Sequence, residues 1–221
     1  KTILLRNLIL PIGDHLFGQK MISRLEFLEE AQFWPKEKIF AKQEIDMQSL
    51  IKIAYREVPF YHDLMNEAGV SPEEIREPND LSRLPIVTKD MLRNKFPNRT
   101  TRSTGQKTYR TSTSGSTGKN FYVLEDNETA GWYRATFLLE LEWAGWEIGE
   151  PHLQTGMTVK RTMDRKLKDL LFGCHYMSAY NLDEDHLDIM LEVLDSNQLD
   201  YLWGYPGSLY FLAKRAIERD W

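Results

Sequence analysis

Apolar positions through the first hundred residues recur at helical spacing. Met21, Ile22, Leu25, Leu28 and Phe33 form one set, ended by Trp34-Pro35, and Met47, Leu50, Ile51, Ala54, Tyr55 and Val58 form a cleaner stripe that stops at Pro59. A third, shorter helix is predicted over Phe60, Tyr61, Leu64, Met65 and Ala68, closed by Gly69, because glycine takes a left-handed conformation without steric cost. Ser71-Pro72-Glu73-Glu74 then carries the signature of a new helix start: a hydroxyl to accept a backbone N–H, proline at the first position and glutamate three residues on. Ahead of all these, the apolar run 3–12 is broken by Arg6, Asn7 and Pro11 and is too short to span a bilayer. A packed edge segment is expected there, with an interfacial anchor as the alternative.

From about Asn98 to Gly118 the chain turns polar and rich in Thr, Ser and Gly, and strands and helices then alternate to Trp221. Extended segments are predicted at 108–111 and 121–125, close enough across the intervening loop to pair antiparallel. A helix capped by Asn127 follows, with Ala130, Tyr133, Phe137, Leu141 and Ala144 on one face and Gly145 at its end. Strands at 152–157, 174–179 and 201–204 are separated by helices, one over 164–172 ended by Gly173 and one started by Asn181 and Glu184; Pro206 opens a last helix. Each separation is long enough for a crossover and too long for a hairpin, so the three strands are expected as parallel neighbours joined by right-handed crossovers. The predicted fold class is α/β: a helical N-terminal region over 1–97, then a partial, largely parallel sheet with crossover helices over 98–221. With no closing strand before Trp221, a sheet edge or an apolar face is expected to stand uncovered and to invite association.

Composition narrows the classes of function. The 221 residues are 42% apolar and 28% charged, with a mean hydropathy of -0.49, which is a globular profile with enough chain for a core of its own. Lys and Arg number 28 against 33 Asp and Glu, a net charge of -5, so there is no broad basic footprint for duplex nucleic acid, although a local anion site remains open. The single cysteine, Cys174, cannot close an internal disulfide and fits a reducing, cytoplasmic setting. The chain begins at Lys1 rather than Met, as a piece of a longer product would.

One segment concentrates candidate chemistry. Thr111-Ser112-Thr113-Ser114-Gly115-Ser116-Thr117-Gly118-Lys119 offers glycines that let backbone N–H groups converge, hydroxyls that add donors, and a cation, which together suit the phosphates of a nucleoside triphosphate. The Walker A pattern fails, because Thr113 stands where its first glycine belongs and Asn120 where its magnesium-binding hydroxyl belongs. A surface linker is the plain alternative. Other signals read as structural. His186 among Asp183, Glu184, Asp185 and Asp188 suits a solvated first helical turn better than a metal site, and no metal ligands are assigned. Cys174 and His175, as strand neighbours, point to opposite faces, so a buried thiol is expected rather than a nucleophile. The basic stretch from Lys160 and Arg161 to Lys168 suits a solvent-facing helix as well as it suits phosphate or coenzyme A.

Thr113 to Gly118, TSGSTG, resembles the phosphate-loop signature of adenylate-forming enzymes, the acyl-CoA synthetase superfamily. Val58-Pro59-Phe60-Tyr61, Ala68-Gly69-Val70-Ser71-Pro72-Glu73-Glu74-Ile75, Asp80-Leu81 with Leu84-Pro85-Ile86-Val87-Thr88-Lys89, and Trp203-Gly204-Tyr205-Pro206-Gly207-Ser208-Leu209 are similar to the phenylacetate-CoA ligase branch. The likeness is strongest to CapK-like members associated with capsule and surface polysaccharide genes, and it runs over nearly the whole chain. The resemblance implies activation of a small-molecule carboxylic acid by ATP and Mg2+ as an acyl-adenylate, release of pyrophosphate, then usually transfer to coenzyme A. It assigns Thr113, Ser114, Gly115, Ser116, Thr117, Gly118 and Lys119 to the nucleotide phosphates. Tyr205, Pro206, Gly207 and Ser208 are expected near the acyl pocket, because a strand end that opens a helix is where open α/β sheets bind ligands; a plain strand-to-helix turn is the alternative. The family commonly continues with proline and then lysine; here Lys119 follows Gly118 directly, Asn120 replaces the proline and Phe121 takes the lysine's place. Its magnesium-holding glutamate, ribose-binding aspartate and catalytic lysine lie downstream of anything matched here. The chain is therefore expected to be an N-terminal portion, inactive alone, whose partners are the remainder of the enzyme and, as a candidate assembly, a second copy in a homodimer. The alternative, from a different class, is a non-catalytic module that binds a nucleotide or a protein.

Overall fold

The computed structural model describes residues 2–103, 105–113, 119–157 and 160–221. Contacts divide the chain into two compact units, Gly13–Leu139 and a second made of Lys1–Ile12 with Glu140–Trp221, and the composition break between residues 97 and 98 falls inside the first.

In the first unit, α1 (Met21–Ala31), α2 (Lys36–Glu57) and α3 (Pro59–Ala68) follow the apolar stripes. Val58 is extended, because the residue before a proline is driven out of the α region, and Pro59 then occupies the first turn of α3. Gly69, at φ 66°, ends the helix as expected. Val58, Phe60 and Leu64 form one buried cluster, and Met65, Val70 and Ile75 another, against which Met47, Ile51 and Tyr55 of α2 pack part of their surface.

The helix start read at residues 71–74 makes its capping box, with the Ser71 N–H donating to Glu74 Oε2 at 2.8 Å, but yields only the 3-10 turn Pro72–Glu74. Ile75 leaves that turn extended with its side chain fully buried, and Glu77 stays extended ahead of Pro78, so a helix cannot propagate. A second 3-10 turn, Pro78–Arg83, and the short α4 (Lys89–Arg93) lead to β1 (Thr108–Ser112) and β2 (Tyr122–Asp126). These pair antiparallel, in a register running from Thr108 opposite Asp126 to Ser112 opposite Tyr122.

The helix α5 (Asn127–Trp143) corrects two expectations. Its cap is Asp126 rather than Asn127: Oδ1 accepts the Thr129 N–H at 2.8 Å and the Thr129 hydroxyl at 2.9 Å. Its buried face is Gly131, Ala135 and Leu139, while Tyr133 is 74% exposed. A Cβ at Gly131 would lie 1.9 Å from the Gln19 carbonyl oxygen, so small residues form this face because another stretch of backbone lies against it.

In the second unit β3 (His152–Gly156) is central, with β4 (Cys174–Ser178) and β5 (Tyr201–Trp203) parallel on either side. α6 (Met163–Phe172) joins β3 to β4, α7 (Glu184–Ser196) joins β4 to β5, and α8 (Pro206–Glu218) follows. The three predicted strands are thus parallel neighbours, as their spacing required. Leu153 of β3, Leu187, Met190, Leu191 and Leu194 of α7, and Leu212 of α8 form the core. The α7 cap is Asp183, which accepts the His186 N–H at 2.9 Å, not Asn181.

The apolar run near the start is helical and widens to a π-helix over Leu5–Ile9. Pro11 offers no N–H to the carbonyl of Asn7 and crowds it, which accounts for the widening. Leu5 is buried, but Ile3, Leu4, Leu8 and Ile12 are exposed, so this is not the packed edge segment expected of it. Among the described residues no helix is long and apolar enough to cross a membrane. On α6, Met163, Leu167 and Leu170 are exposed at helical spacing.

Candidate functional site

The hydroxyl-rich segment is carried by the β1–β2 hairpin, whose β-branched and aromatic residues favour an extended ladder. Pairing continues one step past β1, since the Thr113 N–H donates to the Phe121 carbonyl at 3.0 Å and the Phe121 N–H donates to Thr113 Oγ1 at 3.4 Å. Thr113 is thereby the last described residue on this limb, and its hydroxyl oxygen accepts from the returning limb. Ser114, Gly115, Ser116, Thr117 and Gly118 lie outside the described residues. Lys119 is exposed on the returning limb.

That limb is gripped from two directions. Arg93 Nε–H donates to the Asn120 carbonyl oxygen at 3.1 Å, and the Asn120 side-chain amide donates to the Tyr122 hydroxyl at 3.4 Å. The Tyr122 ring stacks on Phe96, 6.3 Å between centroids, and lies 4.5 Å from the Arg110 guanidinium. Arg93 thus holds the backbone at Asn120 and Arg110 covers the Tyr122 ring, and local spacing could not have found Arg93, which lies 27 residues before Asn120. Beneath the hairpin is an open cleft of about 430 Å³, lined among others by Tyr61, Phe96, Thr100, Arg102 and Phe121. The Thr100 hydroxyl is buried there without a hydrogen-bond partner among the described residues.

The other sequence-assigned residues, Tyr205, Pro206, Gly207 and Ser208, sit in the second unit where β5 passes into α8. Thr155 organises this turn. Its Oγ1 accepts the Tyr205 N–H at 3.2 Å and lies 2.6 Å from Ser208 Oγ, which in turn donates to the Tyr205 carbonyl at 2.8 Å. Gly204 is required here, because a Cβ would fall 1.8 Å from Thr155 Oγ1. Ser208 is 2% exposed and acts as a structural cap, whereas Tyr205 and Gly207 face outward at the carboxyl end of the sheet. The loop and this turn belong to different units.

Three signals resolve as structural. Burial, reinforced by the charge of nearby Asp169, pushes the Cys174 thiol up to about 12, so it carries almost no nucleophilic thiolate at neutral pH. Asp188 and Glu184 are paired with Arg215, and no group of three His, Cys, Asp or Glu side chains gathers to hold a metal among the described residues. Within the basic stretch, Arg161 makes a bidentate pair with Asp169, at 3.0 and 2.6 Å, and covers the Tyr176 ring at 3.7 Å.

No family model matches the chain. Among curated proteins it is similar to the phenylacetate-coenzyme A ligase of Thermus thermophilus, 41% identical over 68 residues that cover 31% of this chain and 15% of the relative. It is similarly 43% identical to the Escherichia coli phenylacetate-coenzyme A ligase over 47 residues, 21% of this chain and 11% of that protein. Among solved structures it is similar to 2-hydroxyisobutyryl-CoA ligase in an open conformation in complex with 2-HIB-AMP and CoA. There the TM-score is 0.58 and the identity 17%, covering 84% of this chain and 45% of that one. The same ligase in the thioesterification state, again with 2-HIB-AMP and CoA, matches with a TM-score of 0.56 at 18% identity, covering 84% and 41%. The chain thus spans less than half the length of the proteins it matches, in their N-terminal portion. It resembles phenylacetate-CoA ligases in sequence and acyl-CoA ligases of the adenylate-forming superfamily in fold.

Proposed function

We propose that this chain is the phosphate-binding part of an ATP-dependent acid–CoA ligase, with Thr113, Ser114, Gly115, Ser116, Thr117, Gly118 and Lys119 holding the β- and γ-phosphates. The observation that carries the reading is that Thr113, the first residue of the TSGSTG run, pairs with Phe121 beyond the end of β1, with Lys119 exposed on the returning limb. The composition of the run, rich in glycine and hydroxyl donors, is what an anion of high charge density requires.

In the proposed reaction a carboxylate oxygen of the acid attacks the α-phosphorus of ATP and the bond to the bridging oxygen breaks. Pyrophosphate leaves and the acyl-adenylate forms; the thiolate of coenzyme A then attacks the acyl carbonyl and AMP departs. Loop donors stabilise the charge that accumulates on the leaving pyrophosphate, and Lys119 adds a cation beside it. Tyr205, Pro206, Gly207 and Ser208 are proposed as the acyl-group residues, a reading supported by the resemblance of their motif; Tyr205 presents a half-exposed ring, a Cβ at Gly207 would meet open space, and Ser208 holds the turn. The resemblance of the TSGSTG run to the adenylate-forming phosphate loop supports Mg2+ as the counter-ion that would accompany the triphosphate. The resemblance of the motifs to CapK-like members supports supply of an acyl group to capsule or surface polysaccharide as the finer reading, and a cytoplasmic reaction and a homodimer are proposed with it.

The test is a reaction balance with the protein that carries this chain. Incubation with ATP, Mg2+, coenzyme A and a panel of carboxylic acids should consume free thiol and release AMP in equal amounts, and only when an acid is present. ADP as the product, or thiol loss without AMP, would reject the ligase reading.

A further inference from the structure

We infer that Arg93 is a positioning residue for the phosphate loop, a reading that rests on the loop being the triphosphate site proposed above. Although α4 has only five residues, it is fixed to the body of its unit. Thr88 Oγ1 accepts the Met91 N–H at 3.3 Å at its start, and Val87 and Leu92 pack against the Val58, Phe60 and Leu64 cluster. The Arg93 side chain, only 25% exposed, is carried from this base to the returning limb of the loop.

There it meets the residue after Lys119. The Arg93 Nε–H donates to the Asn120 carbonyl at 3.1 Å while Nη1 pairs with Asp90, so the guanidinium is held from behind and much of its charge is offset. The Asn120 side chain is tied to Tyr122, and Phe121 is tied to Thr113 through two hydrogen bonds. The backbone after Lys119 is therefore anchored by α4 at the Asn120 carbonyl and, one residue later, by the Phe121–Thr113 pairing. Arg93 acts through this geometry: it fixes the Asn120 carbonyl and with it the backbone that follows Lys119.

The test is Arg93→Met in the protein that carries this chain. A lost neutral-acceptor hydrogen bond should raise KM for ATP by about three- to tenfold, with kcat, KM for coenzyme A and melting temperature unchanged. Amide hydrogen exchange over residues 119–122 should become faster in the same variant. Asp90→Asn keeps the bond from Nε to Asn120 and should leave KM for ATP near wild type. An unchanged KM for ATP in Arg93→Met, with wild-type exchange over 119–122, would overturn the inference. Should the wild-type protein turn over no ATP, the proposed function falls, and exchange over 119–122 decides the anchoring by itself.

Discussion

Thr155 shows how much one hydroxyl can organise. A single oxygen, in a residue 2% exposed, accepts the Tyr205 N–H, bonds Ser208 and excludes any side chain at position 204. Replacing it with valine keeps the shape and leaves a buried N–H and a buried hydroxyl short of a partner. Thr155→Val should therefore lower stability by about 1–3 kcal/mol in denaturant unfolding; a change near zero would mean that water replaces the hydroxyl. Nothing at the level of sequence distinguished Thr155 from the other threonines, because its role depends on the β3–β5 register that sets it beside Gly204. Ser208 shows the converse: its place in a motif was legible, but its burial, and hence its structural duty, was not.

At the scale of elements, periodicity and punctuation located almost everything, while caps and faces were misread. Glycine and proline signals at Pro59, Gly69, Gly173 and Pro206 worked because their backbone preferences are local. The capping residues of α5 and α7 proved to be Asp126 and Asp183, since several candidate acceptors lay within three positions and only the final backbone geometry selects among them. The face of α5 was misread because large aromatics outweigh a glycine in any hydrophobicity count, whereas the close approach of Gln19 admits only glycine at position 131.

The pairing of α7 with α8 has a pH signature. Asp188 receives hydrogen bonds from Arg215 at 2.7 and 2.9 Å and from Arg219 at 2.5 Å, which hold its carboxyl down at about 2. A carboxyl whose value in the folded state lies below its unfolded value stabilises the fold fully above the unfolded value. That contribution is lost as pH falls from about 4 towards 2. Thermal unfolding followed between pH 2 and 6, at fixed ionic strength, should show this loss in the wild type and a flatter acid limb in Asp188→Asn. Parallel limbs would show the pair to be electrostatically idle.

Across the whole molecule, the parallel order of three strands was legible because helix-length separations leave few other connections. The division into units was not, since the first twelve residues join the C-terminal half through contacts that no local pattern encodes. The candidate site was legible as a motif, through glycines and hydroxyls adjacent in sequence. Its support from Arg93, Phe96 and Tyr122 arises only in three dimensions.

The central claim is that residues 113–119 hold the phosphates of ATP while an acid is adenylated. Acid-dependent exchange of labelled pyrophosphate into ATP by the protein that carries this chain, compared with its Thr117→Val variant, tests this most directly. Exchange should occur with at least one carboxylic acid and fall by about tenfold or more in the variant, as expected for loss of one donor to a developing charge, with the melting temperature unchanged. Exchange undiminished in Thr117→Val, or a melting temperature several degrees lower with ATP handling intact, would contradict the claim and make that hydroxyl structural.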